Sequence, residues 1–308
     1  MGLKDRLIIS MTFIVSLAFA ATFASAQNTD WKSRFPEIVL AIVPAENSSG
    51  VSDRFGPFTE YLSKELGVKV TLRIANDYAA VIEGHRAGNI HIGFHGPSSY
   101  VRAWSVTNGG VEPFVTTINS DGSIGYFSVL YTRANVSATR IQDLQGKNLC
   151  LVDPNSTSGN NVPRFAMDKM GIDPDKFFAR VVYAGSHENA IMGVQQGTCD
   201  AAFNWWNSET DSNFSRMVNK GMVKADDFKI VFRSDLIAGS PYIFVTTLPP
   251  EARTAIKQAF IDAPQKAKVQ FDRLSDGKDR GFLPVSHKDY EQAVELQKFV
   301  DALRRRRP

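Results

Sequence analysis

The chain has 308 residues, with 35 Lys and Arg set against 32 Asp and Glu for a net charge of +3. At that length two domains are expected rather than one growing core. Four of the positive charges are Arg304 to Arg307 at the very end, so the body is close to neutral and a basic face for nucleic acid is excluded.

Lys4 and Arg6 precede an apolar stretch from Leu7 to about Phe23, and Ala24-Ser25-Ala26 offers small residues where a signal peptidase reads. Residues 1–26 are therefore read as a signal peptide cleaved after Ala26. The stretch falls short of the roughly 20 apolar residues of a membrane span, and it contains Ser10, Thr12 and Ser16. No later segment is long and apolar enough to enter a membrane, so a soluble chain outside the cytoplasm is expected.

Glu37 to Val43 has the length and apolarity of a strand and is followed by a polar turn over Pro44 to Ser52. Phe55, Phe58, Leu62 and Leu66 fall on one helical face, and Gly67 stops that helix. Val68 to Ala75 alternates as a strand; Tyr78 to Ala87 returns to helical spacing. Ile90 to Phe94 is a third strand, and Pro97 opens the next helix in its first turn. Strands separated by helices imply a parallel sheet covered on both faces.

After Asp121-Gly122, the β-rich run Tyr126 to Arg133 could cross between lobes, and a second series begins. Strands are predicted over Lys147 to Val152, Ala179 to Ala184 and Asp200 to Phe203, with helices over Asn161 to Met170 and Glu188 to Gln196. Strands over Ile230 to Arg233 and Tyr242 to Thr247 flank the turn at Gly239-Ser240-Pro241. Helical spacing then covers Pro250 to Leu274 and Lys288 to Leu303. The fold class is α/β with two lobes, each a mostly parallel sheet with flanking helices, and a ligand cleft between them. The first lobe is read over residues 27–123 and 236–303, with its C-terminal helices packing back on it. The second lobe is read over residues 124–235, and residues 304–308 form a solvated basic tail. Two crossings of this kind make a hinge.

In open α/β sheets ligands bind beyond the carboxyl ends of the strands. The most informative such junction is Ser156-Thr157-Ser158-Gly159, which follows a strand and opens a helix. The first-turn N–H groups there are unpaired, and three hydroxyls crowd beside them where a helix cap needs one. A tetrahedral oxyanion fits such a place. No lysine follows at P-loop spacing, so a nucleoside triphosphate is not implied. His187, after Ser186, opens the next helix and could donate to the same anion. At the other junctions stand His95, as cleft wall or packing, and Ser98. Tyr78 and Tyr100 are ligand donors or core aromatics, and Trp205 and Trp206 are pocket wall or core. No metal-ligand set and no cofactor motif is present. Cys150 and Cys199 could form one disulfide in an oxidising compartment or remain two buried thiols.

The runs NDYAAVIEGHRAGNIHIGFHGPSSY (Asn76 to Tyr100), DPNSTSGNN (Asp153 to Asn161) and GSHENAIMGVQQGTCDAAFN (Gly185 to Asn204) resemble the phosphonate-binding periplasmic proteins of ABC importers, in the same order and spacing. The resemblance extends over roughly Ile38 to Leu248. It implies a type II periplasmic-binding fold and a phosphonate group held by Ser156, Thr157, Ser158 and His187 from the second lobe, with Tyr78 reaching it from the first. It also implies His95, Ser98, Asn204, Asn207 and Ser240 around the ligand, a membrane permease as partner, and a periplasmic location. Relatives that carry aminoethylphosphonate present two acidic residues to its ammonium where this chain offers Asn207 and Ser240, and an aromatic hydroxyl is common where His95 stands. A buried ammonium without a carboxylate is costly, so the expected ligand is a phosphonate without an amine, or phosphite.

Two other functions compete with this reading. A secreted serine-type hydrolase would need a GxSxG elbow or a base bonded to one of the three serine and threonine hydroxyls, and no such elbow is present. A sensory partner of a membrane receptor would keep the same fold and ligand.

Overall fold

A computed structural model describes residues 30–305; the predicted signal peptide, its expected cleavage after Ala26, and Arg306 and Arg307 of the expected basic tail lie outside the described residues. In chain order the first lobe contributes α1 (Trp31–Arg34), β1 (Glu37–Ile42), α2 (Ser48–Leu66), β2 (Lys69–Ile74), α3 (Tyr78–Arg86), β3 (Ile92–Phe94), α4 (Pro97–Val106) and β4 (Val111–Asn119). The second lobe follows with β5 (Phe127–Arg133), β6 (Asn148–Leu151), α5 (Val162–Lys169), α6 (Pro174–Phe177), β7 (Arg180–Tyr183), α7 (His187–Gln196), β8 (Ala201–Ser208), β9 (Asp211–Ser212), α8 (Asn213–Asn219) and β10 (Phe228–Arg233). The chain then returns through β11 (Pro241–Val245), α9 (Pro250–Lys266), α10 (Lys268–Ser275), β12 (Asp279–Pro284) and α11 (Glu291–Arg305).

Two sheets result, ordered β12-β4-β11-β3-β1-β2 and β10-β5-β8-β6-β7, with β9 paired to β8. Strands joined by helices run parallel, β1 with β2 and β3 in one sheet and β6 with β7 and β8 in the other. Strands that arrive from the opposite lobe, β5 and β11, pair antiparallel. The lobes are connected by residues 120–126 and 234–240, which pair at one point: Tyr126 N–H donates to the Ile237 carbonyl at 3.0 Å and Ile237 N–H donates back at 2.8 Å. Gly125 has φ +138° here, and a Cβ on it would lie 2.5 Å from the Ile237 oxygen, so this hinge position tolerates only glycine.

Local sequence explains most elements. Asn47 caps α2 by accepting the Gly50 N–H at 2.9 Å, Phe55, Phe58, Leu62 and Leu66 bury one face, and Gly67 ends the helix at φ +66°. Cys150 on β6 and Cys199 before β8 are joined in a disulfide with Cα atoms 5.7 Å apart, deep under α7.

Both sheets are mixed rather than mostly parallel, because the strands returning from the crossings pair antiparallel, and β9 and α8 form where no element was predicted. Further features depart from the sequence reading. β4 and β12 were not anticipated, because Pro113 interrupts one run and Gly281 and two charges dilute the other; only tertiary pairing of the two strands makes them visible. β5 lies wholly within the second sheet, so the crossing is the segment before it. The helical run over 250–274 is split at Ala267, three residues after Pro264, which brings no N–H to the ladder. The last helix, expected on the first lobe alone, packs against both lobes. It lies on α4, and Phe299 meets Phe165 of α5 edge to face at 5.0 Å, while Gln297 accepts from the Asn161 amide at 3.0 Å. It also runs on through Arg304, which donates to the Pro154 carbonyl, so the tail begins later than residue 304.

Candidate functional site

The carboxyl ends of β1, β3 and β6 and the first turns of α3 and α7 face one another across a cavity of about 150 Å³. Its walls come from both lobes and the crossings: Tyr78, Gly96 and Tyr242 on one side, Ser156, Thr157, Ser158 and His187 on the other, Tyr126, Gly239 and Ser240 at the hinge.

The segment after β6 is built as a donor cradle. Ser156 caps it, its Oγ accepting the Gly159 N–H at 3.1 Å, and residues Thr157–Asn161 wind as a π-helical turn before α5 begins. The wide turn brings three consecutive hydroxyl residues, all buried, to the cavity wall. Thr157 Oγ1 accepts the Ser98 N–H from α4 of the other lobe at 2.8 Å, and Ser128 Oγ donates to the Ser158 carbonyl at 2.6 Å. Gly96 permits this approach, since a Cβ there would lie 2.8 Å from Thr157 Oγ1. More contacts close the lobes: Glu188 N–H donates to the Ala45 carbonyl at 3.1 Å, Asn47 donates to Glu188 Oε1 at 2.9 Å, and Lys220 reaches Glu46 at 3.0 Å.

His187 opens α7 after the cap Ser186, whose Oγ accepts the Asn189 N–H at 3.0 Å. Its Nδ1 is buried with no hydrogen-bond partner. Burial holds the ring neutral, its pKa lowered to about 3, with Asn204 opposing. A neutral imidazole with an unpartnered nitrogen beside three hydroxyls can donate to an arriving oxyanion. Tyr78 and Tyr126 complete the ring of hydroxyls. Burial pushes the Tyr78 phenol up, with Ser156 against it. It likewise pushes Tyr126 up to about 12, with Thr157, Ser240 and Ser158 against its hydroxyl.

The ten residues singled out in the sequence are therefore distributed as follows. Ser156, Thr157, Ser158, His187, Tyr78, Asn207 and Ser240 line the cavity. Asn204 lies beneath His187, its amide donating to the His187 carbonyl at 2.8 Å. Ser98 supplies its backbone N–H to Thr157, while its hydroxyl is buried and unpartnered away from the lining. His95 stands behind the wall. Its Nε2 lies 3.2 Å from His85 Nε2 and its Nδ1 3.1 Å from Ser99 Oγ; burial lowers the pKa of both rings and keeps them neutral, and since His85 Nδ1 donates to the Ile90 carbonyl, His95 Nε2 donates to His85 Nε2. Tyr100 is core, bonded to His287 at 2.6 Å; Trp205 lines the cavity, and Trp206 packs on Phe127.

Sequence reasoning missed Tyr126 and the charged far end. Tyr126 carries a faint signal, a tyrosine following a glycine at the crossing. Arg54, Asp211, Arg216 and Asp279, from α2, β9, α8 and β12, also line the cavity and carry none, because no two of them are neighbours in one motif. Arg54 is held by Glu46 at 2.7 Å, and Arg216 lies 4.9 Å over the Trp205 ring, 3.7 Å from Asp211 and 3.4 Å from Asp276. Burial lowers Arg216 to about 10, with Arg54 adding to the effect.

Two α/β lobes on a double hinge, closed over a cavity with walls from both, define a two-lobe solute-binding protein. Residues 40–290 match the family described as ABC transporter, phosphonate, periplasmic substrate-binding protein, and the chain belongs to that family. It is 32% identical over 295 residues to the Phosphate-import protein PhnD of Mycolicibacterium smegmatis, covering 90% of each chain. It is 30% identical over 256 residues to the Phosphonates-binding periplasmic protein of Escherichia coli, covering 81% of this chain and 73% of that one. Among solved structures, the binding protein component of an ABC phosphonate transporter from Pseudomonas aeruginosa superposes with a TM-score of 0.78 at 26% identity, over 86% of this chain and 87% of that one.

Proposed function

We propose that the chain, exported by cleavage after Ala26, works in the periplasm as the solute-capturing component of an importer, binds a small phosphorus oxyanion, and hands it to a membrane permease. The ligand is a phosphonate without an amine, or phosphite. One observation carries this reading: the buried, unpartnered Nδ1 of His187 shares a cavity wall with the hydroxyls of Ser156, Thr157 and Ser158 at the start of a helical segment. Hydrogen bonds to a charged group contribute about 1.5 to 3 kcal/mol each, so four or five, less ordering costs, give about micromolar to nanomolar capture.

Asn207 and Ser240 on the lining are uncharged, and the carboxylates of Asp211 and Asp279 share the lining with the guanidinium groups of Arg54 and Arg216, which supports a ligand without an ammonium. A binding role is supported by the substrate-binding family to which the chain belongs. A thermal-shift panel on the mature chain tests the proposal. Methylphosphonate, phosphite, phosphate, sulfate and a sulfonate are compared, and a ligand at about a thousand times its Kd adds about 4 kcal/mol of stability. Stabilisation by a phosphonate or phosphite above the others is expected; no shift with any phosphorus oxyanion overturns the proposal.

A further inference from the structure

The cavity is polarised. One end is rich in donors, from the hydroxyl cradle and His187, and one oxyanion satisfies it. The other end carries two carboxylates, Asp211 and Asp279, beside two guanidinium groups, Arg54 and Arg216, and lies where β9, β12 and the end of β8 meet. Asp211 there is 6% exposed and lines the cavity; its Oδ2 accepts from the Asn207 amide at 2.7 Å, but its Oδ1 is buried without a hydrogen-bond partner, with Arg216 Nη2 at 3.7 Å as its nearest cation. Asp279 lines the same end, beside Ser275 and paired through its backbone to Asn119 of β4. An orphaned carboxylate oxygen inside a cavity calls for a donor.

We propose that this end, with Asp211 and Asp279, is a subsite for a hydroxyl on the ligand's carbon chain, so that the ligand class is a short hydroxyalkylphosphonate. The inference rests on the head-group reading above and names what the rest of the ligand carries. A cavity of about 150 Å³ matches the size of engineered cavities that admit a benzene-sized guest, so it has room for two carbons beyond the oxyanion.

Charge decides between a hydroxyl and an ammonium. Glu46, Asp211 and Asp276 already face three cations, Arg54, Arg216 and Lys220, and Asp279 lies in the field of Arg216 and Arg54 as well, so no carboxylate of the network waits for a further cation. Burial, with the charge of Asp211 next, pushes the Asp279 carboxyl up to about 7, and it tends to keep its proton. A hydroxyl both donates and accepts: it can give its proton to Asp211 Oδ1 and accept from Asp279. An ammonium has only donors, would leave the Asp279 proton without an acceptor, and would lie in an end that already holds two guanidinium groups.

Calorimetric titration of the mature chain with methyl-, ethyl-, hydroxyethyl- and aminoethylphosphonate at pH 7 tests this. Hydroxyethylphosphonate is expected to bind at least about tenfold tighter than both ethyl- and aminoethylphosphonate, one charge-assisted hydrogen bond being the difference. In Asp211→Ala and in Asp279→Ala the preference over ethylphosphonate should fall to about twofold or less, while Asp279→Asn, which keeps a donor and an acceptor, should retain it. Methylphosphonate binding with no preference for the hydroxyl in the unaltered chain overturns the subsite and leaves the head-group reading intact. Tighter binding of aminoethylphosphonate than of the hydroxyl compound also overturns it, and failure of all four to bind overturns both readings.

Discussion

Replacing Ser158 by alanine separates ligand binding from folding more cleanly than any other change in the cradle. Ser156 also caps the turn through Gly159, and Thr157 also accepts the Ser98 N–H from the opposite lobe, so loss of either hydroxyl disturbs the resting protein. Ser158 is 2% exposed, its hydroxyl lies against Tyr126 on the cavity wall, and its carbonyl stays bonded to Ser128 Oγ at 2.6 Å whatever the side chain. Ser158→Ala therefore removes one donor from the site and leaves the backbone of the turn in place. A hydrogen bond to a charged group is worth about 1.5 to 3 kcal/mol, which weakens binding by about 12- to 140-fold at about 1.4 kcal/mol per factor of ten. The unliganded protein should lose no more than about 1 kcal/mol, or a few degrees in Tm. Titration calorimetry with methylphosphonate and a thermal melt of the unliganded variant read the two quantities. A Kd within twofold of the unaltered chain would refute the cradle as the anion site, and a melting point lowered by more than about ten degrees would refute the claim that the hydroxyl is spare in the resting fold.

Gly96→Ala should weaken methylphosphonate binding at least about tenfold without unfolding either lobe, because its Cβ would meet Thr157 Oγ1 at 2.8 Å and prop the lobes apart; unchanged affinity in calorimetry would show that the contact yields freely. Acid should destabilise the chain well above the ordinary carboxylate range. His85, held at about 4 by burial, and His95 and His187, also lowered by burial, bind protons in the unfolded chain below pH 6.5 but not in the folded one, so their stabilisation is full above pH 6.5 and shrinks as pH falls through 4. His85 alone accounts for about 2 kcal/mol between pH 7.5 and pH 5. Asp279, raised to about 7, works in the opposite sense over the same window, so Asp279→Asn should show the steeper acid loss; equal urea midpoints at pH 7.5 and pH 5 in both proteins would contradict the burial argument. Removing the Cys150–Cys199 bridge, which spans 49 residues, should cost about 4 kcal/mol on the chain-entropy account, measured as the change in urea midpoint on reduction or in Cys150→Ala/Cys199→Ala; a change below about 1 kcal/mol would mean the packing under α7 suffices alone.

The inner strands of both sheets were legible because each carries its own signal. An apolar run such as Ile38 to Val43 needs no partner to identify it, and the helix after it announces its face through Phe55, Phe58, Leu62 and Leu66 and its end through Gly67. The strands that were missed obey a different logic. Val111–Asn119 holds Pro113, and Asp279–Pro284 holds Gly281 and two charges, so neither declares itself alone. They are strands because they pair with each other and, through β4, with β11, a condition set by residues more than a hundred positions apart.

The same distinction runs through the site. The hydroxyl cradle on the cavity wall was readable because a strand, a hydroxyl run and a helix start lie within a dozen consecutive residues, and the chemistry of an unpaired first turn follows from that local order alone. The far end was not, because Arg54, Asp211, Arg216 and Asp279 meet only when β12 has closed onto β4 and α8 has folded back from β9 toward α2. Asn207 illustrates the limit. Read in sequence it is an uncharged residue where relatives that carry aminoethylphosphonate are expected to present an acid, yet its amide holds Asp211 by one oxygen at 2.7 Å and leaves the other without a hydrogen-bond partner, 3.7 Å from Arg216. A neutral side chain thus imports a carboxylate into the cavity from four residues further on. On the proposed subsite, ligand preference in this chain follows from which acids the neighbouring strands deliver and how far their charges are already balanced, and only then from the residue at the expected position.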